Sequence, residues 1–389
     1  MRVVRAADRL RRMTDPTGKA AYVYDDVLSG HVLREGHPMR PVRLRHTYAL
    51  LRAYGAFEDE HALLVPPRPA TLDELTTFHT EEYVETVRRL SSGEEADSDR
   101  HGFSAQGDNP VYEGMYEAAL LSTGASVQAA ELIADGEASA AFAPAGGLHH
   151  AMRGWASGFC IFNDPVVAIN VLRKRGLRVV YVDVDAHHGD GVQAAFYRDT
   201  DVMTVSVHES GRWLFPGTGA VNEVGAGEAA GYSVNLPLFP YTGDDVYQEA
   251  FERVVPPLIE AFAPDVLAVQ MGADAYVTDP LTHLALSTHG YEAVVRRLGA
   301  MGYPMLAFGG GGYDLDATAR CWTLAYGSMV GREWPDDLPS GADAYLTSLH
   351  LRDAVLPQIE QQLYEKSREF VQQQVAEIER LIFPVHGLG

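Results

Sequence analysis

Between Asp183 and Asp190 the chain reads DVDAHHGD, three carboxylates and two imidazoles within eight residues. Such a cluster has few structural uses. One aspartate can cap a following helix, but the rest asks for a cation or for proton transfer. Asp185 and His187 offer an oxygen and a nitrogen, and Asp274, in MGADAYVTDP, offers a second oxygen. Three protein ligands with one position left open is the arrangement of a catalytic, not a structural, zinc site. Two carboxylates and an imidazole also suit Fe(II), Co(II) or Mn(II). Taken in isolation, Asp274 serves equally well as a turn or cap residue.

A second group of residues suits acid–base work. His149 and His150 stand in tandem after Gly146-Gly147, where the backbone can bend sharply. Imidazole titrates near neutral pH, and a carboxylate partner fixes its tautomer and raises its basicity. Asp183 and Asp190, not needed for the metal, are available for that pairing. In FGGGGYD the glycines lack the GxGxxG spacing of a nucleotide loop. They let the backbone approach the site and deliver the Tyr313 hydroxyl to an oxyanion. Phe159 and Phe215, each in a Gly- or Pro-bearing loop, can wall an apolar slot. Cys160 beside them is read as a packing residue, because activated water makes a thiol nucleophile redundant.

The elements that position these residues can be read from the pattern. Residues 179–183 form a β-branched apolar run, as a strand buried on both faces of a parallel sheet does. Alternation puts Asp183, Asp185 and His187 on one side, with Val182, Val184 and Ala186 on the other. Further strands are expected at 21–27, 139–142, 202–207, 232–237, 266–270 and 304–308. Helical patterns fall at 41–54, 81–90, 115–134, 165–174, 191–196, 244–261 and 290–300, and a Thr71–Glu74 capping box opens another. This alternation gives βαβ units and a largely parallel sheet covered on both faces. His149 and His150, the 183–190 cluster, His208, Asp274 and Tyr313 all follow expected strands. They should gather in the crevice beyond the C-terminal strand ends. Residues 1–389 read as one domain, with a polar helical extension at about 353–389 on the surface or against a partner subunit.

Composition narrows the partners. A net charge of −22 over 389 residues repels phosphates, which excludes nucleic acid and an anionic membrane surface. Two cysteines far apart give no disulfide framework and fit a reducing cytoplasm. The segment MRVVRAADRLRRMTD lacks a following apolar stretch and does not read as a secretory signal. No stretch approaches the ~20 apolar residues of a membrane span.

The motifs GGLHH, SGFCIFND, VDVDAHHGDGV, FPGTG, GADAYVTDP and GGGGY occur in one order, and from about Tyr22 to Val330 the chain resembles the class I histone deacetylase family. Its HESGRWLFPGTG loop is similar to that of bacterial members acting on acetylated protein lysine. The resemblance implies a three-layer α/β/α fold of arginase/deacetylase type, with a mainly parallel eight-stranded sheet. It implies zinc (or Fe(II)) on Asp185, His187 and Asp274, and removal of acetyl groups from protein lysine. His149 would pair with Asp183, and His150, the general base and acid, with Asp190. Tyr313 would polarise the acetyl carbonyl. Gly158, Phe159, Phe215 and Leu281 would line the tunnel for the lysine stem, and Asp108 would grip the substrate's backbone amides. A potassium site would use carbonyls of Asp183, Asp185, His187 and Val207 with the Ser206 hydroxyl. A second would use carbonyls of Phe196, Asp199, Val202 and Tyr232.

Three rivals share parts of this pattern. An arginase-type two-manganese hydrolase needs further bridging carboxylates, yet Ala275-Tyr276 follows Asp274 and no acid comes before Asp279. An acetylpolyamine amidohydrolase would share the same centre. A non-catalytic acyl-lysine binding module would not need both histidines and Tyr313.

Overall fold

The computed structural model describes residues 18–58 and 60–389. The basic segment at 1–17, read above as no secretory signal, lies outside them. Eight strands build one sheet: β1 (Ala20–Val23), β2 (Ala62–Val65), β3 (Ala140–Ala143), β4 (Val179–Asp183), β5 (Val202–Glu209), β6 (Ser233–Leu238), β7 (Val266–Gln270) and β8 (Met305–Phe308). Their spatial order is β2-β1-β3-β8-β7-β4-β5-β6, and every neighbouring pair is parallel.

The helices are α1 (Val42–Ala53), α2 (Leu72–Leu75), α3 (Glu81–Ser91), α4 (Met115–Ala134), α5 (Asp164–Lys174), α6 (Asp190–Phe196), α7 (Asp244–Phe262), α8 (Thr288–Gly299), α9 (Leu315–Val330) and α10 (Gln361–Leu381). Apolar residues of α1 and α7 to α10 meet one face of the sheet, and those of α4, α5 and α6 meet the other. That double cover explains why every side chain of β4 and β7 is buried. Val180, Val182, Val184 and Ala186 belong to one core, and Val179 and Tyr181 to the other. The alternation therefore continues past Asp183, where the strand itself ends. On the outside, α3 packs Tyr83, Val84, Val87 and Leu90 against Met115 and Ala119 of α4.

The topology sets up the site. Strands β3, β8, β7 and β4 are consecutive across the sheet although they are scattered along the chain. Their trailing loops carry, in that order, His149-His150, Tyr313, Asp274, and Asp185 with His187.

Two sequence expectations are corrected, and two elements were missed. The first strand stops at Val23 rather than 27, because the Asp25 side chain accepts the Val27 N–H and starts a 3-10 turn. Strand β2 gave no signal: it is a four-residue edge strand, mostly half-buried, with no alternation to read. Helix α9 was not read at all, since every residue of Ala317–Gly327 is buried and an amphipathic period is missing. The C-terminal extension is α-helical only over Gln361–Leu381, with a 3-10 turn at Phe383–His386, and its Val371, Val375 and Ile378 are buried against α7 and β6 of the same chain.

Candidate metal centre and active site

At the end of β4 the chain turns so that Asp185 and His187 face Asp274 from the end of β7. One ligand atom from each lies within 4.8 Å of the others, and all three residues are buried. The carboxylates are turned in a definite way. Asp185 Oδ2 accepts from Gln270 Nε2 at 2.6 Å and from the Gly311 amide at 2.7 Å. Asp274 Oδ1 accepts from the Ala186 amide at 2.8 Å. The remaining oxygens, Asp185 Oδ1 and Asp274 Oδ2, lie 3.0 and 2.9 Å from His187 Nδ1. An imidazole carries at most one proton on that nitrogen, so it can serve only one of the two oxygens fully. Burial, and then the Asp185 charge, push the Asp274 carboxyl up to about 7. Two buried anions converging with a ring nitrogen fit a divalent cation.

Beside this cluster stand two histidine–carboxylate pairs. His149 Nδ1 is 2.8 Å from Asp183 Oδ2, which also accepts from the Tyr181 hydroxyl. His150 Nδ1 is 2.7 Å from Asp190 Oδ1. The two Nε2 atoms are 3.0 Å apart. Burial lowers the His149 pKa, but the Asp183 and Asp185 charges outweigh it and raise it to about 9. His150 goes the other way: burial, and then the charge on His149, hold it well below the ordinary imidazole value. One imidazole is thus kept charged and its neighbour neutral.

Residues that the sequence reading passed over hold this loop. Asp164 is fully buried and accepts the Gly147 and Leu148 amides at 2.9 Å each. Asn163 donates to the carbonyls of His149 and Ala151 while capping α5. A cap signal (Asn163 before Asp164-Pro165) was present but pointed only to a helix start. Gln270 and Arg43 gave no signal beyond a strand end and a helix face. Arg43 is buried, stacks 5.0 Å over Trp322 and donates to the Gly312 carbonyl at 2.9 Å.

Aromatic rings stand beside the cluster, Phe215 edge-on to His187 at 6.5 Å among them. Ser157 and Cys160 bridge each other, leaving Gly158 (φ 50°) and Phe159 (φ 70°) as the two central residues of a tight turn with left-handed backbone. The turn sets the Phe159 ring edge-on to Tyr313 at 5.7 Å and to His37 at 4.7 Å. Phe215, 42 % exposed, stands edge-on to His150 at 4.9 Å. Its loop is buttressed through Trp213, which packs on Phe239 and on Phe370 of α10. Leu281 is half-buried on a turn after Asp274. The Asp108 side chain is exposed. Its carbonyl accepts from His37 Nε2, a tautomer set by the Met39 amide donating to Nδ1. Of the cation-site residues, Ser206 lies opposite Asp183 in the β4–β5 pairing. Its hydroxyl is 2.8 Å from His208 Nδ1. Around the second set, the Phe196 and Tyr232 carbonyls each accept a backbone N–H.

Gly158 has no room for a side chain. A Cβ there would fall 2.5 Å from His150 Cδ2 and 2.9 Å from a Phe215 ring carbon. Gly158→Ala should therefore displace the imidazole or the phenyl wall. The expected loss in kcat/KM is on the order of ten- to hundred-fold, with the fold intact by circular dichroism. Unchanged kinetics would mean the slot does not run past Gly158.

With that geometry in view, the chain belongs to the histone deacetylase family of hydrolases: a model described as "Histone deacetylase domain" matches residues 37–329. Among curated relatives it is 41% identical over 333 residues to the acetoin utilization protein AcuC of Bacillus subtilis (strain 168), covering 82% of this chain and 85% of that protein. It is 38% identical over 323 residues to human histone deacetylase 1, covering 82% of this chain and 66% of that one. Among solved structures, a histone deacetylase homologue from Aquifex aeolicus superposes with a TM-score of 0.82 at 31% identity, over 91% of this chain and 100% of that one. A homologue complexed with SAHA superposes at 0.83 and 31% identity, over 93% and 99%. Among the described residues no helix is long and apolar enough to cross a membrane.

Proposed function

We propose that the protein removes acetyl groups from the ε-amine of acetyl-lysine in proteins or peptides and releases acetate. Zinc, or Fe(II) in its place, would be held by Asp185, His187 and Asp274. The carrying observation is the two histidine–aspartate pairs set against that three-ligand cluster. A divalent cation there polarises the amide carbonyl and lowers the pKa of water.

The chain's own groups supply the rest. Neutral His150, oriented by Asp190, accepts the proton of the attacking water. Charged His149, balanced by Asp183, adds positive potential beside the developing oxyanion. The Tyr313 hydroxyl donates a hydrogen bond to that oxyanion. As the C–N bond breaks, the proton on His150 passes to the lysine amine. Gly158, Phe159, Phe215 and Leu281 enclose the apolar lysine stem, and the exposed Asp108 carboxylate accepts the substrate's backbone amides. Potassium ions on the carbonyls of Asp183, Asp185, His187 and Val207 with the Ser206 hydroxyl, and on those of Phe196, Asp199, Val202 and Tyr232, would brace the loops. The whole chain acts as one catalytic unit in the cytoplasm, where Cys160 and Cys321, both free and buried, stay reduced. The likeness to AcuC makes an acetylated metabolic enzyme such as acetyl-CoA synthetase the protein substrate to try first.

Acetate release from acetyl-lysine peptides and from acetylated polyamines, with metal counting in parallel, tests this reading. Preference for polyamines, or two metals per chain, would replace it. Tyr313→Phe should lower kcat on the order of 10²–10³-fold with KM and metal content little changed. Near-normal turnover would remove the tyrosine from the mechanism.

A further inference from the structure

Asp279 has no part in the chemistry above, yet its carboxylate is buried between two backbone amides of the site. The residue is 7% exposed. Oδ1 accepts the Leu281 N–H at 2.9 Å, and Oδ2 accepts the Tyr313 N–H at 2.8 Å. Its own N–H bonds the Tyr276 carbonyl, closing the turn that begins just after Asp274. Burial pushes the carboxyl up to about 6, against the Leu281, Tyr313 and Asp314 amides, which pull it down.

Tyr313 needs such an anchor. It follows four glycines, and the third cannot carry a side chain: a Cβ on Gly311 would fall 2.0 Å from Asp274 Oδ2. A bare backbone has no side-chain packing to hold it, so polar contacts must. The Asp185 carboxylate holds the Gly311 amide and Arg43 holds the Gly312 carbonyl. These two contacts stop at Gly311 and Gly312, short of the Tyr313 amide. The tyrosine's own amide is held by Asp279, and the same carboxylate holds Leu281 in the slot wall.

The geometry points to Asp279 as a positioning residue that ties the oxyanion donor to the tunnel wall through one carboxylate. The two backbone segments approach from different strands, β8 and β7, and both of their amides bond this one group. Moving the carboxylate shifts the hydroxyl of Tyr313 relative to the bound amide; its charge also bears on Asp274, so Asp279→Glu, which keeps that charge, separates position from charge. The inference rests on the deacylase reading given above.

A double-mutant cycle with Tyr313→Phe decides it. Asp279→Asn keeps the shape but turns an N–H toward one of the two amides. It should lower kcat on the order of ten- to hundred-fold, with the metal still bound at one per chain. In the Tyr313→Phe background the same change should alter kcat by less than about two-fold, because the group it positions is already gone. Equal losses in both backgrounds, or no loss in the first, would overturn the assignment. If Asp279→Asn does not fold, Asp279→Glu keeps the charge, displaces the anchor by one methylene, and enters the same cycle. Amide hydrogen exchange gives a readout independent of turnover. Asp279→Asn should speed exchange at Leu281 and Tyr313 while β4 and β7 stay protected, and unchanged exchange at those two amides would also overturn the assignment. Wild-type protein inert on every acyl-lysine peptide would defeat the functional reading instead, and the exchange result would still decide the anchor.

Discussion

His150→Ala will lower kcat by about 10²–10⁴-fold, the usual contribution of a positioned general base, and the variant will still fold and take up metal. The expectation follows from three features. His150 is buried at 4% exposure, it is oriented by Asp190 at 2.7 Å, and its ring stands edge-on to His187 at 5.9 Å between centroids without being one of the three candidate ligands. Its pKa gives a second signature. Burial, and then the neighbouring charge on His149, hold it well below the ordinary imidazole value. The working form of a base is the deprotonated one, so activity is present above that lowered pKa and lost as pH falls through it. The kcat profile of the wild-type enzyme should stay flat through neutrality and fall only below the ~6.5 of a free imidazole. An acid limb at or above that value, or His150→Ala turning over within a few-fold of wild type, would falsify the assignment.

Removing the cation should have an effect at least as large. Lewis-acid activation is worth several kcal/mol at the transition state, which is on the order of 10³-fold or more in rate at ~1.4 kcal/mol per tenfold. Protein dialysed against a chelator should be inactive and should recover with zinc or Fe(II) at one ion per chain. Asp274→Asn should not recover. The substitution leaves a group of the same size, but it removes one of the two negative charges facing His187 Nδ1. It also ends the mutual repulsion with Asp185 that, after burial, pushes Asp274 up to about 7. A secondary readout is thermal: metal should raise the Tm of wild type, because a ligand bound only by the native state stabilises it, and should leave the Tm of Asp274→Asn unmoved. Chelated wild type that keeps its activity would end the metal reading outright.

Some parts of the site could be read in the chain because they are local. Asp185 and His187 share a side by strand alternation alone, and their neighbours Val184 and Ala186 lie in the opposite core as that alternation requires. Parallel β4 and β7 announce themselves as uninterrupted apolar runs, since both of their faces are covered. Helix α9 left no such trace for a related reason. When all sides of a helix are buried there is no polar stripe to mark its period. The groups that hold the candidate site's loops, Asp164 at Gly147 and Arg43 at Gly312, were illegible because they act on backbone atoms 17 and 269 residues away.

By itself, then, the order of residues determined the kinds of chemistry available: acids and imidazoles at strand ends, a glycine-borne tyrosine, and a doubly covered parallel sheet. These follow from side-chain type and periodicity, which are properties of short stretches. Only the tertiary structure decided which oxygen of Asp185 and of Asp274 faces His187, which histidine is charged and which neutral, and that Asp279 joins Tyr313 to Leu281. Those outcomes depend on burial and on donors brought in by other strands, and neither exists until β3, β8, β7 and β4 lie side by side.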